Sequence, residues 1–174
     1  MFAITERLLL RPGWAEDAPA LSRAIADEAV ARNTARVPWP YALGDAQRFL
    51  ASEAVALRPS FLICLRDSGR LIGGIGIHGE RPELGYWLAR DQWGRGYATE
   101  AGCAVLGCAR SLGLERLWAG HMLDNPASGR VLRKLGFRES GREERHSLAR
   151  GGPVACATYE REEAEQGQLT PLAA

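Results

Sequence analysis

Apolar positions recur along this chain at two spacings, one suited to strands and one to helices, and their order predicts a single α/β domain. Leu8-Leu9-Leu10 lies between Glu6-Arg7 and Arg11-Pro12 and predicts a short first strand closed by proline. Leu21, Ile25 and Ala29 follow Asp17-Ala18-Pro19 at four-residue spacing. That is one face of a helix with proline in its first turn. Pro38-Trp39-Pro40-Tyr41 cannot continue a helix and predicts a connecting loop. A second helix opens at Gly44-Asp45, with Phe49, Leu50 and Ala54 as its apolar side.

Two apolar runs, 61–65 and 71–75, flank Asp67-Ser68-Gly69-Arg70 and predict a hairpin. Glu83-Leu84-Gly85-Tyr86-Trp87-Leu88 reads as another strand. A helix from about Gly96 to Ser111 carries Ala98, Ala101, Val105 and Ala109 on one side, and Leu117-Trp118-Ala119-Gly120 is a strand directly after it. Strand, helix and strand in that order predict a parallel pair with a right-handed crossover. Asn125-Pro126 starts a last helix bearing Val131, Leu132 and Leu135, and Gly136 ends it. Residues 138–161 read as two strands around Arg150-Gly151-Gly152-Pro153. The expected organisation is one domain over 1–165, with a mixed sheet, and a short polar tail over 166–174.

Composition narrows the function classes. Hydrophobic residues make up 46% and charged residues 25%, and 22 Lys and Arg against 21 Asp and Glu leave a net charge of +1. A nucleic-acid partner normally requires a basic excess, so none is expected. No apolar run reaches bilayer length, and Met1 to Arg7 lacks the order of a secretory signal. Cys64, Cys103, Cys108 and Cys156 are scattered without a Cys-x-x-Cys pair, and His78, His121 and His146 stand apart from them. Reduced, mostly buried thiols, no metal and a cytoplasmic setting are expected.

The most informative segment runs from Glu83 to Ala101, ELGYWLARDQWGRGYATEA. A strand passes into Trp93-Gly94-Arg95-Gly96 and a helix begins at once. The first N–H groups of a helix have no internal partners, and its dipole makes that end positive. With glycines to let a ligand approach, and Arg95 adding a charge, the turn can seat a pyrophosphate. It lacks both the Gly-Lys-Ser/Thr of a P-loop and the Gly-x-Gly-x-x-Gly of a dinucleotide fold.

WGRGYATEA, with ELGYWL before it and NPASGRVLRKLGF after it, resembles the GNAT superfamily of acetyltransferases. Within that superfamily it is similar to the RimJ/RimL branch, whose best-known members acetylate α-amines of ribosomal proteins. Gly96 and Ala98 match the last two positions of the phosphate signature Gln/Arg-x-x-Gly-x-Gly/Ala, while Trp93 stands where Gln or Arg is usual. TERLLLRP and IGGIGIHG extend the resemblance over nearly the whole chain. It implies a mostly antiparallel sheet of six to seven strands with a central parallel pair, and about four helices. It also implies acetyl-CoA as acyl donor, an amine acceptor, and a monomer or homodimer. The donor would be held by Trp87, Leu88, Trp93, Gly94, Arg95, Gly96, Tyr97, Ala98, Thr99, Asn125 and Ser128.

The implied chemistry is direct attack of an amine on the thioester through a tetrahedral oxyanion, with the thiolate leaving. An α-amine has a pKa of about 7.7–8.0 and needs little help to lose its proton. Glu83, on the strand leading to the site, is the candidate base; a strand-face ion pair is the structural alternative. The resemblance places a backbone N–H near Leu88 at the oxyanion and Ser128 near the leaving sulfur, as a hydrogen-bonding acid. Ser128 shares one helix face with Val131, Leu132 and Leu135, and Asn125 can cap that helix and still reach the donor. His78 and His121 can face the cleft, and Trp39 and Tyr41 can line it, without an assigned role. Three functions fit: acetylation of a protein N-terminus, acetylation of a small amine, or acyl-CoA sensing without turnover.

Overall fold

The computed structural model describes residues 1–52 and 58–162. Ala54 and the tail expected over 166–174 lie outside the described residues. The strands are β1 (Ala3–Ile4), β2 (Leu8–Arg11), β3 (Ser60–Leu65), β4 (Leu71–His78), β5 (Glu83–Leu88), β6 (Arg116–Met122), β7 (Arg138–Ser147) and β8 (Gly152–Glu162). The helices are α1 (Ala18–Ile25), α2 (Glu28–Ala31), α3 (Leu43–Leu50), α4 (Tyr97–Ser111) and α5 (Pro126–Lys134). The eight strands form one sheet in the order β1-β2-β3-β4-β5-β6-β8-β7. Six to seven strands and about four helices were expected. The additions, β1 and α2, are two and four residues long and too short to carry a period.

Every described pairing is antiparallel except that of β5 with β6, which are parallel as the strand–helix–strand order predicts. The β5–β6 register holds only at Glu83–Trp118 and Leu84–Ala119. Beyond Leu84 the two strands part. Below this gap, α4 lays Ala101, Val105 and Ala109 against Ile75, Ile77, Leu84 and Leu117, all buried in the main core. Burial of each such aliphatic side chain contributes about 1.5–3 kcal/mol, which fixes the face that β4 and β5 turn toward α4.

The opposite face is covered by α1 and α3, whose Ala18, Leu21 and Ala46 pack on Leu62 of β3 and its buried neighbours. Here the helical expectation is corrected. The chain leaves the helix at Ala26 (ψ 57°), so Ala29 is only partly buried, and Val30 and Ala31 enter the core. In α3 the buried residue is Ala46, while Phe49 is exposed. Of the cysteines, Cys64 and Cys156 are buried, Cys108 is partly buried and Cys103 is exposed. Among the described residues, no helix is long and apolar enough to cross a membrane.

Candidate active site

Strand alternation sorts the side chains of β4 and β5 onto two faces. The pairs Gly74–Trp87, Gly76–Gly85 and His78–Glu83 share the face covered by α1 and α3; Ile75–Tyr86 and Ile77–Leu84 share the face toward α4. A cleft of about 1160 Å³ includes residues of both faces, reaching from Trp93, Gly94 and Ala98 at one end to Val37 and Leu148 at the other. The gap between β5 and β6 joins them. Tyr86 and Ser128 line the α4 side, and Glu83, His78 and Arg145 line the other.

At the α4 end the chain turns at Gly94 (φ +76°) and Gly96 (φ +82°), which is the left-handed region that glycine adopts without strain. Gly96 is the N-cap and the helix proper begins at Tyr97, one residue after the expected start. Among the described residues, no protein acceptor takes a hydrogen bond from the backbone N–H of Gly94, Arg95, Gly96, Tyr97, Ala98 or Thr99. Six free amides at a helix N-terminus form a seat for an anion, so these residues fit a pyrophosphate. The Arg95 side chain is exposed beside them.

Two anchors hold this turn. The Trp93 indole N–H donates to the Leu88 carbonyl at 2.8 Å, tying the turn to the end of β5. Arg7 supplies the second anchor. Its guanidinium donates to the Arg95 carbonyl at 3.1 Å and pairs with Glu100 at 2.6 Å. It also lies 4.6 Å from the Tyr97 ring centroid. Hydrogen bonds from Thr5 and Arg7 to the Glu100 carboxylate outweigh burial, the largest single influence, and hold it below the usual range. Sequence reasoning missed Arg7, since 88 residues separate it from Arg95.

Ala89 N–H donates to the Ile72 carbonyl on β4. By alternation, Leu84, Tyr86 and Leu88 direct their peptide groups toward β6, which has departed at the level of Tyr86 and Leu88. Trp93 takes the Leu88 carbonyl, and the Leu88 N–H faces the gap. Trp87 turns its indole the other way, over Gly74, where a β-carbon would lie 2.6 Å from its ring nitrogen.

Asn125 caps α5 through its side-chain oxygen, which accepts from the Ser128 N–H at 3.3 Å, so the rest of its amide remains available. The Ser128 hydroxyl lies 2.7 Å from the Tyr86 hydroxyl, a partner the sequence did not reveal. Burial pushes the Tyr86 phenol up to about 12, against the opposing hydrogen bond from Ser128, so it stays protonated at neutral pH.

On the opposite face, Glu83 forms an ion pair with Arg145 of β7, which also pairs with Glu143. Burial, the largest influence on the Arg145 guanidinium, favours its neutral form, yet the hydrogen bonds it donates to Glu83 and Glu143 prevail and raise its pKa. Glu83 therefore sits at the cleft with its carboxylate already held by a cation. His121 is tied up as well. Its Nδ1 lies 2.8 Å from the Met122 carbonyl and its Nε2 lies 3.3 Å from the Tyr159 hydroxyl. Among the described residues, no group of three His, Cys, Asp or Glu is placed to hold a metal ion.

The acetyltransferase (GNAT) domain matches residues 7–138 of this chain. The uncharacterized N-acetyltransferase YoaA of Bacillus subtilis is 31% identical over 172 residues, spanning 91% of this chain and 96% of YoaA. An acetyltransferase of the GNAT family from Bacillus anthracis superposes with a TM-score of 0.79 at 26% identity, over 93% of this chain and 98% of its own. RimL, a ribosomal-protein alpha-N-acetyltransferase solved with coenzyme A, has the same fold, with a TM-score of 0.79 at 19% identity over 93% and 98% of the two chains. Fold, parted sheet and matches define the class as an N-acetyltransferase. The chain belongs to the GNAT acetyltransferase family.

Proposed function

We propose that this enzyme transfers the acetyl group of acetyl-CoA to the α-amine of a protein N-terminus, by direct attack with both substrates bound. The observation that carries this reading is the parted β5–β6 pair, with free amides at one end of the cleft and an open, mixed-charge groove at the other. Bound acetyl-CoA would supply an activated thioester. Gly94 to Thr99 would seat its pyrophosphate, a gap-facing backbone N–H of β5 near Leu88 would donate to the developing oxyanion, and Ser128 would serve the leaving sulfur. RimL, of the same fold, is solved with coenzyme A, which supports this donor.

The groove favours an N-terminus over a polyamine or aminoglycoside. Arg36, Arg48, Arg81 and Arg145 line it, against Asp45, Glu80 and Glu83. Polycations call for an acidic pocket, and this one has no acidic excess. Val37, Pro38, Phe49 and Leu148 add apolar wall for a peptide side chain. The test is release of free coenzyme A with short peptides bearing free N-termini, with the same peptides blocked at the N-terminus, and with spermidine. Turnover confined to free α-amines is expected. Preference for spermidine would replace this reading with that of a small-amine enzyme.

A further inference from the structure

We propose that His78 is the catalytic base, taking the proton of the acceptor amine as that amine sits over Gly85 between the rings of Trp87 and His78. This rests on the acetyl-transfer reading above and names the residue that serves the amine.

Gly74, Gly76 and Gly85 leave the α1–α3 face of β4 and β5 without side chains. The Trp87 indole covers Gly74, and the His78 imidazole covers Gly76, where a β-carbon would lie 3.0 Å from Nε2. Gly85 stays open: a β-carbon there would meet only the His78 ring, at 3.8 Å. The open floor lies on β5 just past Leu84, where β6 separates. An amine seated there is at the mouth of the gap, with the gap-facing Tyr86 N–H one residue pair and the Leu88 N–H three residue pairs further along.

Among the described residues, neither ring nitrogen of His78 is engaged by a protein hydrogen bond, unlike those of His121. Its charged surroundings come from several elements. Glu83 stands opposite on β5, with Arg145 of β7 paired to it. Arg36 approaches from the segment after α2, and Glu80 and Arg81 lie in the β4–β5 turn. The Asp45–Arg48 pair of α3 lines the same cleft. Burial, and after it Arg36, hold the imidazole below its ordinary value, against Glu83, so the ring is neutral at pH 7.

A weakly basic imidazole suits one moment of the reaction. It is a poor base toward a resting ammonium, but once the nitrogen bonds to the acyl carbon its proton becomes strongly acidic. The amine lone pair forms the C–N bond while the carbonyl π pair moves to oxygen. The N–H proton passes to His78. The oxygen pair returns, the C–S bond breaks with its electrons on sulfur, and the thiolate takes a proton from the Ser128–Tyr86 hydroxyl pair. That pair regains a proton from solvent, and the imidazolium releases one. One proton thus leaves on one face of the sheet while another is delivered on the other.

The test compares wild type with His78→Gln and His78→Ala across pH, using both a free-N-terminus peptide and spermidine as acceptors. At neutral pH kcat/KM should fall about 100-fold, with the deficit narrowing toward about pH 9 as hydroxide substitutes. Added imidazole should restore part of the Ala variant's rate, and coenzyme A affinity by calorimetry should stay within roughly twofold, which certifies the fold. In wild type, the His78 imidazole resonance should move when peptide is added to the coenzyme A complex. A loss equal at every pH without imidazole rescue, or a resonance that stays put, overturns the proposal. Turnover with spermidine alone removes the N-terminal reading while leaving His78 to be judged on spermidine. No turnover of either acceptor by wild type removes both.

Discussion

The Tyr86 hydroxyl lies 2.7 Å from the Ser128 hydroxyl, joining the parted strand β5 to the first turn of α5. The Tyr86 phenol also reaches the Ser128 carbonyl at 3.2 Å, so one ring fixes both the backbone and the hydroxyl of Ser128. Ser128→Ala should lower kcat about 10- to 100-fold and leave coenzyme A affinity little changed. Tyr86→Phe should lower it less, and the double variant should fall short of the product of the two effects, because they act as one unit. Steady-state kinetics of the three variants checks this. Multiplicative losses would mean that the two hydroxyls work separately.

Gly96→Val tests the anion seat. Its φ of +82° is strained for any β-branched residue, and the added side chain would start 3.5 Å from the Arg7 guanidinium that anchors the turn. Coenzyme A affinity should drop at least about tenfold by calorimetry, equivalent to about 1.4 kcal/mol or more. Far-ultraviolet circular dichroism should remain that of wild type.

Arg7→Ala tests whether the turn is held from the first strands. Arg7 is nearly half exposed, so its ion pair with Glu100 adds little to stability. Its hydrogen bond to the Arg95 carbonyl instead keeps that carbonyl turned away from the amide seat. KM for acetyl-CoA should rise roughly three- to tenfold with kcat nearly unchanged, the signature of lost uniform binding.

The Arg11–Asp17 pair sets part of the acid stability. Both side chains are largely buried, the guanidinium donates twice at 2.7 Å, and Trp14 N–H adds a third bond. The hydrogen bonds from Arg11, chiefly, and from Trp14 prevail over burial and hold the Asp17 carboxyl below its usual 3.8. A lowered folded-state pKa means that its stabilisation is complete above the unfolded value and is lost as pH falls through the folded one. Asp17→Asn should therefore cost about 2 kcal/mol at pH 7 and flatten the decline in stability below about pH 4. Urea midpoints at several pH values measure both.

Much of this was legible in the chain. The bounds of β5 and the cap at Asn125 follow from local pattern alone, because alternation and capping act over a few residues. The parting of β5 from β6 was not, since strand separation depends on how distant elements pack. The same holds for Glu83, whose partner Arg145 is 62 residues away. Tyr86 carried a usable signal: it is in phase with Leu84 and Leu88, which assigns it to the α4 side. The alternating Gly74, Gly76 and His78 carried another, since glycines on one strand face leave room for a ring beside them. Ala29 misled because helical spacing continues past Ile25 although the backbone does not.

The most direct measurement of the central claim is a titration of nitrogen-15-labelled protein with coenzyme A, followed by amide resonances. Arg95 through Thr99 should show the largest shifts, saturating at one equivalent, and desulfo-coenzyme A should reproduce them because the seat holds phosphate. Binding that leaves these amides unmoved, or that centres elsewhere on the surface, would contradict the account.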